Sequence, residues 1–142
     1  MLTAAIAIAL VALILAFVVV VAHEPGPSPG EVALAYELAW DHFDFETLWS
    51  LSGNELHDGL AKHEFLAAKR AAYEGRPELR GIAAQVEIEE VAASPTTAVA
   101  RTRVESRDGT SVRNEVRLDH RDGRWVVVAY ELRPDPQARP TR

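Results

Sequence analysis

The sequence contains no cysteine. No disulfide, thiolate nucleophile or cysteine-held metal can therefore form. Reducing and oxidising compartments both tolerate such a chain, so the absence does not assign the domain to one side of a membrane. Charge is missing from residues 1–22, and neither lysine nor arginine occurs before Lys62. Basic residues are also the minority overall, 15 against 21 acidic, for a net charge of −6. A chain of that sign repels a phosphate backbone, so no nucleic-acid partner is expected. A phosphate-binding glycine loop, a serine nucleophile elbow and a dinucleotide-binding glycine pattern are all absent. Neither Asn54 nor Asn114 opens a glycosylation triplet. No cofactor is expected.

What is present begins with an apolar run. Residues 1–22 are almost wholly Ala, Leu, Ile, Val and Phe. As a helix they reach roughly 33 Å, enough for a hydrocarbon core of about 30 Å. No face of the run is polar, which argues against a helix in a soluble core. A cleaved signal peptide is the alternative, with Val20 and Ala22 suiting a cleavage site. The run is longer than the usual signal core of about 7–15 residues and lacks a basic start, which favours a retained single-pass anchor. With so few charges near it, orientation is weakly set. An inside N-terminus and an extracytoplasmic domain are expected.

Residues 23–30, with three prolines and two glycines, are expected to form a linker. From Glu31, apolar residues Val32, Ala35, Tyr36, Ala39, Trp40 and Phe43 recur at helical spacing. Asp44 can cap a second short helix through Leu51, and Gly53 can stop it. A third helix is predicted from about Leu60 to Glu74, with Phe65, Leu66, Lys69, Ala72 and Tyr73 on one side and Gly75 and Pro77 ending it.

From Ala84 the period falls to two. Strands are predicted near 84–93, 97–106, 111–120 and 124–132. Ser94-Pro95, Arg107-Asp108-Gly109 and Arg121-Asp122-Gly123 separate them, the last two being hairpin signals. Even-numbered residues such as Ala98, Val104, Val116, Leu118, Val128 and Leu132 make the apolar side, which is expected to face the helices. Two-residue Asp-Gly loops would pair even with odd residues, so three-residue loops are expected at both hairpins. Thr102 then lies opposite Asn114, and Asn114 opposite Tyr130, a polar row on the buried face. On the other face, Arg101, Arg103, Arg113 and Arg117 alternate with Glu87, Glu89, Glu105 and Glu115. Cross-strand ion pairs explain that pattern without a partner.

Helices followed by an antiparallel meander resemble the nuclear transport factor 2-like superfamily of cystatin-like cones. The similar stretches are Ala35 to Leu51, which looks like the first helix, acidic break and second helix, and Gly123 to Val128, which looks like the last hairpin and strand. The resemblance covers roughly residues 31–133. It departs at Phe43, where members often carry glycine, and around Ser52 to Gly59, where a short strand is often found. It implies an α+β cone: about three helices packed on a curved four-stranded antiparallel meander, with a pocket on the concave side. Members include isomerases, dehydratases and many binding or accessory domains, so the fold selects no function.

The resemblance makes Thr102, Asn114 and Tyr130 pocket-lining candidates, joined by Tyr36 and His42 on the first helix. An amide and a phenol can orient a carbonyl or hydroxyl ligand; they can equally satisfy one another. Asp41-His42 reads as an acid/base pair or as a solvated helix end, and adjacent helix positions point apart. His57, Asp58, His63 and Glu64 invite a metal, but Ala67 stands where a zinc-helix motif needs its second histidine, so no metal is expected. The division expected is an anchor over 1–22, the linker over 23–30, the cone over 31–133 and a disordered tail over 134–142. No catalytic residue can be assigned. The first functional expectation is a membrane-anchored, non-enzymatic accessory or interaction domain. The second is a small-molecule binder, or an isomerase- or dehydratase-like enzyme, using the pocket for an apolar molecule. A homodimer through the outer sheet face is a third reading.

Overall fold

A computed structural model describes residues 12–14 and 25–133. The expected anchor over 1–22, apart from 12–14, and the tail over 134–142 lie outside the described residues. Among the described residues no helix is long and apolar enough to cross a membrane.

Three helices come first: α1 (Pro29–His42), α2 (Phe45–Leu51) and α3 (Lys62–Tyr73). Short 3-10 turns at Asn54–Leu56 and Pro77–Leu79 flank α3. The expected linker gives up its last two residues to α1. Proline fits the first helical turn because its missing N–H has no partner to lose there. Ser28 caps the helix: its Oγ accepts from Glu31 N at 3.3 Å, and Ser28 N donates back to Glu31 Oε2 at 2.7 Å. Asp44 caps α2 through Thr47 N at 3.1 Å.

Between α1 and α2 the chain turns through Phe43, whose φ is 56°. Asp44 N donates to Ala39 O at 2.8 Å, closing the helix end. Glycine enters that left-handed region without cost, whereas a side chain is strained by roughly 1–2 kcal/mol. The Phe43 ring is held against Phe45 (centroids 5.8 Å apart) and Tyr73 (5.0 Å), which offsets the strain.

The sheet is a four-stranded antiparallel meander, β1 (Ala83–Ala93), β2 (Thr97–Ser106), β3 (Ser111–Arg121) and β4 (Arg124–Arg133), in sequential order. Thr102 pairs with Asn114, and Ser106 N donates to Thr110 O across a three-residue loop with Gly109 at φ 85°. The β3–β4 hairpin differs from expectation. Arg121 pairs with Arg124 around a two-residue loop, Asp122 and Gly123, both with positive φ. That turn sets Leu118 opposite Val127 and His120 opposite Trp125. A bulge beside Val128 then shifts the register, so Val116 pairs with Tyr130 and Asn114 with Leu132. Asn114 therefore does not pair with Tyr130. The bulge restores even-to-even pairing, as a longer loop would have done. Before it, Val127 rather than Val128 enters the core, where it is fully buried with Leu48, Val116 and Leu118. Burying each such side chain contributes about 1.5–3 kcal/mol.

After α2, Ser52 forms a one-residue parallel bridge to Val127, and Gly53 N donates to Val127 O at 2.7 Å. This bridge stands where the expected family pattern has a short strand. The outer face carries the ion-pair ladder: Arg101–Glu90 at 2.7 Å, Arg113–Glu89 at 3.0 Å and Arg133–Glu115 at 2.9 Å. The exposed pairs among them contribute little each, while Glu115 is itself buried beneath its arginine partners. They mark that face as solvent-directed and leave the concave face for the helices.

Candidate functional site

Glu37 stands on the sheet-facing side of α1 and is only 4 % exposed. A buried carboxylate needs partners to offset lost hydration. Glu37 finds three, one from each of three strands. The Thr102 hydroxyl on β2 and Asn114 Nδ2 on β3 (2.9 Å) donate to Oε1. The Tyr130 hydroxyl on β4 donates to Oε2 at 2.8 Å. Asn114 Nδ2 also donates to the Tyr130 oxygen at 2.8 Å. The polar row on the concave face is thus closed over a carboxylate from the first helix. All three donors are neutral.

This cluster borders an open cleft of ≈ 440 Å³ between the helices and the concave sheet face, lined in part by Glu37, Asn114 and Tyr130. Val86, Val104, Val112 and Leu132 line it from the sheet, all at even positions. Trp40, Phe43 and Tyr73 line it from the helical side. Ile82, Val112 and Leu132 remain substantially exposed, giving the cleft an apolar rim. Asp41 is part of the lining too; its Oδ1 accepts from Ala83 N at 2.9 Å and ties the end of α1 to the start of β1.

The remaining candidates are placed as follows. Thr102 is fully buried and reaches the cluster through Glu37 without lining the cleft. Tyr36 is buried with its ring 5.3 Å from Tyr130. His42 is exposed, outside the lining, with Nε2 3.8 Å from Asp41 Oδ2. Successive helix residues are turned about 100° apart, so Asp41 can face inward while His42 faces water.

Two buried polar atoms near the cleft form no hydrogen bond among the described residues: Asn114 Oδ1 and Trp40 Nε1. Burial, reinforced by the Glu37 charge and the hydrogen bond donated to it, pushes the Tyr130 phenol well above its ordinary value. Burial raises Tyr36 as well, against the pull of the neighbouring Trp40 and Ser52 side chains.

A second cleft, of ≈ 370 Å³, is lined by Trp49, His57, Arg121 and Arg124 among others. The His57 ring stacks on Trp49 at 3.6 Å. Arg121 is committed to Glu55 and Asp119, and Arg124 donates to Ser50 O at 3.0 Å. Among the described residues no three acidic or histidine side chains gather to hold a metal ion.

The fold has solved counterparts. A protein from Campylobacter jejuni described as an NTF2-like transpeptidase superposes with a TM-score of 0.56 at 17% identity, covering 71% of this chain and 97% of that one. The chain has the nuclear transport factor 2-like fold. A Silicibacter pomeroyi protein of unknown function, described as NTF-2 like, gives a TM-score of 0.48 at 15% identity, covering 72% of this chain and 90% of its own. No family model and no curated protein matches the sequence.

Glu37 is the site residue that sequence reasoning missed. The apolar stripe of α1 draws attention to its hydrophobic residues and gives Glu37, beside Tyr36, no role. The available signal lay on the strands: a row of polar residues on a buried face needs a partner from whatever covers it.

Proposed function

We propose that this chain is a membrane-tethered domain whose NTF2-like cone binds an apolar small molecule, without transforming it, through the cleft over Glu37. The observation that carries this reading is the cleft itself: largely apolar walls, an apolar rim and the fixed polar cluster of Glu37, Asn114 and Tyr130 in its lining. Its volume falls in the range of about 300–1,000 Å³ usual for small-molecule sites. Catalysis by proton transfer would need a carboxylate with its oxygens turned to the substrate. Glu37 has three protein donors on its two oxygens, which supports its reading as a fixed charge beside the cleft and not as a base that takes a proton from the ligand. Residues 1–22 supply the tether and the following proline-rich residues a spacer, in keeping with the accessory role expected from the sequence.

The test is equilibrium dialysis of 1-naphthalenemethanol against the full chain in nanodiscs, with uptake by empty nanodiscs subtracted. Saturable uptake of one probe per chain is expected. Val104→Trp, which fills the cleft, should abolish it. Equal uptake by the two proteins would place the probe elsewhere and overturn the reading.

A further inference from the structure

Resting on the binding role proposed above, we infer that the cleft selects a ligand whose polar end is a cation: an apolar ammonium, such as a primary amine carried on a ring system.

Among the described residues the lining holds two carboxylates, Glu37 and Asp41, and no lysine, arginine or histidine. Both carboxylates are sheltered, Glu37 at 4 % exposure and the Asp41 side chain at 10 %. Coulombic attraction is stronger there than at a wet surface. The acceptors also outnumber the donors. A carboxylate offers about four lone-pair sites. Glu37 has filled three, and Asp41 receives one hydrogen bond, from Ala83 N. Asn114, 3 % exposed and part of the lining, has an Oδ1 with no partner among the described residues. An ammonium brings three donors and no acceptor, which matches the lone pairs that Glu37 and Asp41 have left.

One donor, Trp40 Nε1, also has no partner among the described residues; it is buried, and the open carboxylate lone pairs outnumber it. The aromatic rings of Trp40, Phe43 and Tyr73 add faces that attract cations. Lys69 and His42 lie near without lining the cleft. Lys69 Nζ sits 5.5 Å from the Trp40 ring and 3.9 Å from Asp58 Oδ2, and exposed His42 approaches Asp41 at 3.8 Å. An anionic ligand would meet two carboxylates with no cation among the described lining residues to offset them, which disfavours fatty acids and phosphates.

Three probes sharing one ring system separate the outcomes: 1-naphthylmethylamine, 1-naphthalenemethanol and 1-naphthoic acid. They are dialysed against the full chain in zwitterionic nanodiscs at pH 8. The amine should bind about tenfold or more tighter than the alcohol, a difference set by the carboxylates, and the acid should show no saturable binding. Glu37→Gln and Asp41→Asn should each bring the amine-to-alcohol ratio down toward one. The Asn carbonyl can still accept from Ala83 N, so Asp41→Asn decides the matter if Glu37→Gln does not fold. An alcohol that binds as tightly as the amine, an acid that binds best, or a ratio unchanged in the folded variants overturns the inference and leaves the binding role standing. Failure of all three probes to bind overturns both.

Discussion

The Tyr130 hydroxyl donates to Glu37 Oε2 at 2.8 Å, joining the last strand to the first helix across 93 residues of chain. Thr102 and Asn114 complete the same cage from the two strands between. This arrangement ties three strands to α1 and holds the buried Glu37 carboxylate in a single position.

Removing a donor from that cage should be felt as lost stability. Hydrogen bonds to a charged group contribute about 1.5–3 kcal/mol, and an orphaned buried partner adds to the loss. Tyr130→Phe should therefore lower the unfolding free energy by about 2 kcal/mol, or roughly 10 °C in Tm for a domain of this size. Thermal unfolding followed by near-ultraviolet circular dichroism checks it. A shift within a degree or two would mean that water serves Glu37 equally well. In a double-mutant cycle with Thr102→Val, the two changes should not add, because they share one carboxylate.

Alkaline pH should unfold the cone. Tyr36 and Tyr130 both have folded-state values raised above the ordinary phenol, so the folded state binds protons more tightly than the unfolded one. Their contribution is fully present below about pH 10 and is lost as pH rises beyond it, by at most about 1.4 kcal/mol per pH unit for each phenol. Tyr130→Phe should flatten this fall. Urea midpoints measured from pH 8 to pH 11.5 test the sign, and an unchanged slope in the variant would contradict it.

The Phe43 position offers a test of backbone strain free of packing differences. Phe43→Ala and Phe43→Gly both delete the ring contacts, but only glycine enters a φ of 56° freely. The glycine variant should be the more stable of the two by about 1 kcal/mol. Equal urea midpoints would indicate that the turn relaxes once the ring is gone.

The tether has its own measurement. The full chain should stay in the membrane pellet after alkaline carbonate extraction, and deletion of residues 2–22 should release it to the supernatant. Release of the full chain would rule out an integral anchor.

Much of the cone was legible because alternation and turn chemistry are local. Ser94-Pro95 and the two Asp-Gly turns marked the strand ends, and parity placed Thr102 and Asn114 on the concave face. The β3–β4 register was not legible. A two-residue loop followed by a bulge and a three-residue loop without one place Leu132 on the same face, and alternation does not distinguish them. The remaining gap was Glu37. Its burial depends on donors 65, 77 and 93 residues away. No helical period within α1 records such contacts. His42 failed to join the site for a local reason, the turn of the helix between it and Asp41.

The most direct measurement of an open cleft over Glu37 is a proton–nitrogen spectrum of the three tryptophan indoles in the full chain, recorded while 1-naphthalenemethanol is added. Trp40 lines the cleft, whereas Trp125 sits beside His120 near the opposite hairpin. The Trp40 resonance should move and saturate while Trp125 stays fixed. A Trp40 resonance that stays put at high probe concentration, or one that moves no more than Trp125, would contradict the cleft as a binding site.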